Sequence, residues 1–250
     1  MVEGHSSLKR EEIFQTLERF RKGFLQMAIV FLLVAAATFP FSKAVLRHLR
    51  DTTLKMDLVA FGIPESFLSL LKLTAFISLF ISIPFIFYHL SRAVSPLLRK
   101  RGVERSSPIL WASILLFYLG ALFCYFVTLP FGVTFLLGYQ TPKLQPMISV
   151  SKYVSFCAVF VFGFGLTFEL PLVLALLSYL GIVNARFLSR NRRYAILLCA
   201  VAAAVITPTP DMFNMALMGV PLYLLFEIGV ILVKFIERKR RAEASGEASQ

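Results

Sequence analysis

The sequence predicts an all-α, polytopic integral membrane protein with six transmembrane helices. Hydrophobic residues make up 58% of the 250 residues, Phe alone occurs 26 times, and the mean hydropathy is +0.76. The apolar residues fall into six runs, and all but one of these runs come close to or exceed the about 20 residues that cross a hydrocarbon core. A composition this apolar excludes a soluble domain of the same length.

The N-terminal segment, residues 1–22, is charged and polar. From Glu11 onward it has the pattern of an amphipathic helix that lies on the membrane surface. It lacks the apolar core and the small-residue cleavage site of a secretory signal, so we expect it to be retained. The first predicted span follows at residues 23–41, with Pro40 near its far end, where a helix can stop.

The second predicted span covers residues 67–90 and the third covers residues 108–130. Residues 42–66, between the first two spans, mix charged and apolar side chains and are too polar to cross the bilayer. Residues 91–107 form a basic loop that contains one acid, Glu104. Membrane topology and anionic lipid explain such a cluster of bases at the end of an apolar run.

The second half of the chain contains a loop, residues 131–152, and the remaining three spans. The fourth span covers residues 153–181 and the sixth covers residues 212–233. The fifth run, residues 194–206, reaches only about 20 Å at 1.5 Å per residue, whereas the hydrocarbon core is about 30 Å thick. We therefore predict two short C-terminal spans, for which either the bilayer thins locally or other helices shield a shallow pair.

The distribution of positive charge predicts the orientation. Of the 26 Lys and Arg residues, 19 lie in the N-terminal segment, the loops 91–107 and 182–193, and the C-terminal residues 234–250. These segments share one side of a six-span chain, and the positive-inside rule places that side in the cytoplasm. The predicted parts are a cytoplasmic segment (1–22), a membrane domain (23–235) in the cell (inner) membrane, and a polar cytoplasmic tail (236–250).

Two acids lie within the predicted spans, Glu169 and Glu227. An acidic residue near the centre of a membrane helix costs about 2.5 to 3.5 kcal/mol, which makes it a candidate functional residue. We expect Glu169 to face a cavity or a partner rather than lipid; a protonated side chain that only packs is the alternative. Glu227 is expected near the cytoplasmic interface, where a solvated glutamate beside Lys234 is the alternative.

Two further acids, Glu18 and Glu104, stand alone in strongly basic segments on the predicted cytoplasmic face. They either pair with nearby arginines or receive a cationic ligand, because charge pairing is stronger at an interface than in bulk water.

The sequence lacks the motifs of nucleotide-binding, zinc-binding and dinucleotide-binding proteins. No nucleotide-binding loop and no zinc motif occur, and Gly163 and Gly165, within a span, indicate close helix packing rather than a dinucleotide site. We therefore expect no cofactor, no metal, no enzyme activity and no nucleic-acid partner. The histidines and cysteines are scattered singly through the chain: His5, His48, His89, Cys124, Cys157 and Cys199.

Residues 164–171 read Phe-Gly-Leu-Thr-Phe-Glu-Leu-Pro. This segment resembles the Phe-Gly-x-x-Phe-Glu-x-Pro motif of the twin-arginine translocase subunit family TatC, and the resemblance extends over residues 13–235. Further matches are Pro64-Glu65-Ser66-Phe67 with Lys72, Phe117-Tyr118-x-Gly120 with Tyr125-Phe126, Tyr194, Thr207-Pro208 with Asp211, and Pro221-x-Tyr223-x-x-Phe226-Glu227.

The resemblance implies the core receptor subunit of a machine that exports folded proteins with the proton-motive force. Its implied partners are twin-arginine signal peptides, TatA- and TatB-like single-span proteins, the lipid bilayer and further subunits in a homo- and hetero-oligomer. The implied signal-peptide residues are Glu18, Arg21 and Glu104. Residues implied to face a concave intramembrane cavity are Glu169, Phe168, Pro171 and Glu227. Residues implied in an extracytoplasmic cap and turn are Pro64, Glu65, Phe67, Lys72 and Asp211.

The chain departs from the family pattern at two places. The family motif His-Leu-x-Glu-Leu-Arg is here Thr16-Leu17-Glu18-Arg19-Phe20-Arg21, so the histidine is absent and the acid is displaced by one residue. On a helix this displacement turns the acid by about 100°. The turn before the sixth span contains an extra residue, Thr209, and Met215 replaces a usual polar residue. These departures suggest a divergent member with altered cargo preference.

A proton-coupled small-solute secondary transporter, in which Glu169 titrates, is the alternative function. Such transporters often consist of repeated halves with broken helices, and no repeat is evident in this sequence. An intramembrane enzyme would need a nucleophile beside a base, for which the sequence offers no candidate pair.

Overall fold

The computed structural model describes residue 21 and residues 23–54, 56–99, 107–138, 147–207 and 211–247. These residues are almost entirely helical, which confirms the predicted all-α fold. Within the described ranges, a single parallel bridge between Val59 and Ser149 is the one pairing of extended segments.

The helices follow one another along the chain with short connections. Helix α1 covers residues 23–38, and a short 3-10 turn, Phe39–Phe41, joins it to α2, Ser42–Thr53. The later helices are α3, Ile63–Arg99; α4, Ser107–Phe123; α5, Leu129–Leu137; α6, Val150–Phe168; α7, Leu170–Tyr179; α8, Ala185–Arg190; α9, Arg192–Ile206; and α10, Met212–Glu247.

Five helical stretches are long and apolar enough to cross a membrane. They are Gly23–Thr53, Pro64–Pro96, Ser107–Phe135, Val150–Tyr179 and Met212–Lys239. The predicted fifth run forms α9, whose 15 residues rise only about 22 Å. The structure therefore contains this short helix, and its crossing of the bilayer as the fifth of six spans stays a prediction. The sixth predicted span is not short, because it lies within the 28-residue stretch Met212–Lys239.

Several helices extend beyond the predicted spans. The loop predicted at 131–152 is helical up to Leu137, because a π-helical turn, Cys124–Thr128, leads directly into α5. Pro130 stands in the first turn of α5, where its missing N–H is tolerated. Helix α10 continues to Glu247 through the tail, since Lys, Arg, Glu and Ala all favour helix.

Helix α6 lies against α3 and α4, while α10 packs against α7 and α9. The main core cluster joins the π-helical turn to α6 and α10 through buried side chains such as Cys124, Phe160, Phe164 and Met218. A second, aromatic cluster joins α3, α4 and α6, with Phe117 completely buried at its centre.

Glycines allow α4 and α6 to approach closely. A Cβ atom placed on Gly120 would lie 2.6 Å from the carbonyl oxygen of Phe164, and one on Gly165 would lie 2.5 Å from the ring of Phe117. At Gly163 the nearest side-chain atom, from Ile206, would be 2.5 Å away. The prediction that Gly163 and Gly165 serve close helix packing is confirmed.

Candidate functional site

Glu169 lies between α6 and α7, where the fourth predicted span is interrupted. Pro171 has no N–H group. The carbonyl oxygen of Thr167 therefore lacks the helical hydrogen bond that the N–H of any other residue at position 171 would donate to it. The N–H of Glu169 donates to Leu166 O at 3.2 Å, and its own carbonyl accepts from Val173 N at 2.9 Å. The helix therefore resumes immediately, with the Glu169 side chain at the interruption.

The Glu169 side chain is turned into the protein, since the residue is only 8% exposed. Its carboxyl group forms a hydrogen bond with the hydroxyl of Ser113 on α4. Its Oε1 atom has no hydrogen-bond partner among the described residues. A buried polar oxygen without a partner costs about 1 to 3 kcal/mol, so this oxygen is available to a further group. The concave cavity beside Glu169 stays a prediction.

The two neighbours that the resemblance implied at the cavity, Phe168 and Pro171, pack between helices. The Phe168 ring lies 5.8 Å from the ring of Phe123. Pro171 is buried, and its Cα atom would lie 3.2 Å from a Cβ atom placed on Gly229 of α10. These contacts fix the backbone on both sides of Glu169 and thereby its direction.

Glu227 has partners of its own on α9 and α10. Arg192 Nη2 donates to its Oε2 atom at 2.8 Å, and the Tyr223 hydroxyl donates to its Oε1 atom at 2.8 Å. The ion-pair partner is thus Arg192, rather than the Lys234 of the alternative interpretation. Because both side chains are partly exposed, the pair contributes at most about 1 kcal/mol and mainly sets how the two helices align.

Glu65 connects the cap segment, which we define as residues 56–62, to the start of α6. Its Oε2 atom accepts from Phe61 N at 2.6 Å, and its Oε1 atom accepts a short hydrogen bond from the Ser149 hydroxyl. Val59 adds two backbone hydrogen bonds to the same region. Its N–H donates to Ile148 O at 3.0 Å, and its carbonyl oxygen accepts from Val150 N at 3.2 Å. Pro64 and Phe67, beside Glu65, are exposed.

The other two residues predicted in the cap and turn also have polar partners. Lys72 Nζ donates to Ser151 Oγ at 3.1 Å and to Ser155 Oγ at 3.0 Å. Asp211 precedes α10 and accepts from the backbone N–H and the side-chain amide of Asn214, at 2.7 and 2.9 Å. Asp211 therefore caps this helix, where its charge also favours the helix dipole.

Two of the three predicted signal-peptide residues, Glu18 and Glu104, lie outside the described residues. The third, Arg21, is exposed. The structure thus leaves the grouping of these three residues as a prediction.

Sequence reasoning missed the partners of the predicted acids. Ser113 bonds Glu169 from α4, Arg192 bonds Glu227 from α9, and Ser149 bonds Glu65 from the start of α6. Ser113 could have been found as a candidate partner, because it is a polar residue within an apolar span. The sequence places Arg192 in a basic loop, and its distance from Glu227 along the chain conceals the contact between them.

Among the residues that the structure describes, no group of three or more His, Cys, Asp or Glu side chains is placed to hold a metal ion. The three cysteines are buried and are not in disulfides.

Comparison with known proteins places these features in a family. The family described as Sec-independent protein translocase protein (TatC) matches residues 15–221. A TatC relative from Carboxydothermus hydrogenoformans is 33% identical over 94% of this chain and 96% of its own length. A relative from Aquifex aeolicus is 35% identical over 90% of this chain and 95% of its own length.

Similarity of structure agrees with similarity of sequence. A crystal structure of the twin-arginine translocase receptor TatC superposes with a TM-score of 0.76 and 35% identity, covering 88% of this chain and 98% of the solved one. The Escherichia coli TatC protein is 34% identical over 74% of this chain and 71% of its own length. The chain therefore belongs to the TatC family of Sec-independent protein translocase proteins.

Proposed function

We propose that this protein is the core receptor subunit of a twin-arginine translocase, which exports folded proteins. The observation that carries the proposal is the similarity to a solved twin-arginine translocase receptor over 98% of that receptor's chain. The proposed partners are TatA- and TatB-like single-span proteins and further copies of this chain, and the proton-motive force is the proposed energy source.

The proposed location is the cell (inner) membrane, with six spans and both termini in the cytoplasm. The grouping of 19 of the 26 Lys and Arg residues on one side of such a chain supports this orientation. Helix α9 would be the fifth span, and its rise of about 22 Å would thin the surrounding bilayer. A thinned bilayer lowers the barrier that a folded cargo must cross.

The proposed signal-peptide site combines Glu18, Arg21 and Glu104 on the cytoplasmic face. A carboxylate in a basic surface attracts a guanidinium group and can accept two parallel hydrogen bonds from it. Lysine cannot reproduce this bidentate geometry. The site should therefore prefer a signal with paired arginines over one with paired lysines.

Glu104→Ala should weaken the binding of a twin-arginine signal peptide by about tenfold or more, because hydrogen bonds to charged groups contribute about 1.5 to 3 kcal/mol. Site-specific crosslinking of a labelled signal peptide to membranes that contain the variant measures this loss.

Asp57→Ala is the matched control for that loss. The Asp57 side chain is 97% exposed and forms a surface ion pair with Arg50. The substitution therefore removes one carboxylate, as Glu104→Ala does, at a position far along the chain from the proposed site. Crosslinking to this variant should equal that of the unmodified protein. Unchanged crosslinking to a Glu104→Ala, Glu18→Ala double variant would refute the assignment of the site.

A further inference from the structure

Lys72 carries a positive charge into the seam between α3 and α6. It stands nine residues after the first residue of α3, which corresponds to about 13 Å along the helix axis. Side chains on a helix point toward its N-terminus. Accordingly, the Lys72 side chain contacts Ser151, in the first turn of α6, and Ser155, one turn further on. The ammonium group therefore lies near the membrane surface at the cap end of the seam.

The direct partners of this ammonium group are neutral. Ser155 donates its own hydroxyl proton to Ser151 O at 2.8 Å, which leaves its oxygen to accept from Lys72. Lys72 itself forms no ion pair with another described residue. Glu65, two turns earlier on the same helix face, is engaged by Phe61 N and the Ser149 hydroxyl.

An ammonium group whose hydrogen-bond partners are neutral hydroxyls keeps its net positive charge and attracts an anion. This attraction becomes stronger as water is excluded. Two of its three donors go to the serines. The first turn of α6 adds a positive helix dipole beside it, because Ser151 follows the first residue of that helix. The seam therefore provides a site for an anion at the level of lipid headgroups.

The surroundings of the site are apolar and open to lipid. Leu68, one turn before Lys72, is 55% exposed, and Val159, one turn after Ser155, is also exposed. One turn deeper, the rings of Phe76 and Phe162 meet at 5.9 Å and close the seam between the two helices. An acyl chain can lie along this surface below a headgroup held at Lys72.

We propose that Lys72, Ser151 and Ser155 bind the phosphate group of a phospholipid. Lys72 supplies the charge, the two serines hold the ammonium group at the headgroup level, and the acyl chains lie over Val159 and the Phe76–Phe162 contact. The bound lipid joins α3 to α6 just below the cap segment.

The test measures phospholipid binding to the delipidated protein in detergent by native mass spectrometry. The probes are phosphatidylglycerol, a galactosyl diacylglycerol without phosphate, and inorganic phosphate. Lys72→Gln should weaken phosphatidylglycerol binding about fivefold, since it removes the positive charge that the two serines hold at the site, which is about 1 kcal/mol of attraction to anionic lipid. Lys152→Gln, an exposed lysine in the same turn of α6, should bind as the unmodified protein does.

A Ser151→Ala, Ser155→Ala double variant keeps the charge and provides a second measurement if Lys72→Gln fails to fold. It should also bind phosphatidylglycerol more weakly than the unmodified protein, because the ammonium group loses both supports. Unchanged binding in either variant, or equal losses for Lys72→Gln and Lys152→Gln, would overturn the site. Equal binding of the galactolipid, or displacement of the lipid by millimolar inorganic phosphate, would overturn its assignment to a phospholipid.

Discussion

Glu169→Ala is expected to abolish export of folded cargo while the protein remains inserted in the membrane. The chain maintains a carboxyl group at 8% exposure in an apolar span, with one oxygen that has no partner among the described residues. Such a group costs about 2.5 to 3.5 kcal/mol near the centre of a span, so a purely structural role would be served better by an apolar residue. The measurement is export of a folded reporter, with membrane insertion quantified in parallel.

Ser113→Ala is the matched control for this variant. It removes the hydroxyl that bonds Glu169 but leaves the carboxyl group in place, so export should persist. Normal export by an inserted Glu169→Ala protein would assign Glu169 to packing.

Gly120→Ala is expected to cause the largest loss of stability. The added Cβ atom would lie 2.6 Å from a backbone oxygen of α6 and 2.7 Å from the Phe168 ring. The helices must separate to accept it, which costs about 1 to 3 kcal/mol. At about 2 to 4 °C per kcal/mol, thermal unfolding in detergent should shift down by several degrees. Displacing Phe168 also moves its neighbour Glu169, so export should fall together with stability.

Gly219→Ala is the control, because it makes the same chemical change inside a helix. The nearest atom to its added Cβ, on Ala203, lies 3.6 Å away, an ordinary contact. This variant should be neutral or more stable by up to about 1 kcal/mol, since alanine favours helix over glycine. Equal unfolding temperatures for the two variants would contradict the close approach of α4 and α6.

The sequence was sufficient to predict the class of fold and the family. Long apolar runs predict membrane helices directly. The run that forms α9 is recognisable in the sequence because it is shorter than the about 20 residues needed to cross the hydrocarbon core. The motif around Glu169 carried the resemblance that the comparisons bear out, and family membership supports both the translocase role and the prediction that the chain is not an enzyme.

Helix ends and side-chain partners were beyond the sequence. The sequence pattern predicts that the third span ends at Pro130, whereas the preceding π-helical turn places this proline in the first turn of α5, where proline is tolerated. The bonds of Ser113 to Glu169 and of Arg192 to Glu227 join residues far apart in the chain. Such pairs depend on how the helices pack, which local patterns do not encode.

The most direct test of the proposed function is complementation of a bacterial strain that lacks its TatC protein but retains the TatA and TatB proteins. Export is scored with one folded cargo that carries either Arg-Arg or Lys-Lys in its signal peptide. The proposal predicts that this chain restores export of the Arg-Arg cargo and that the Lys-Lys cargo stays in the cytoplasm. Failure to export the Arg-Arg cargo, with the protein inserted and its partners present, would contradict it.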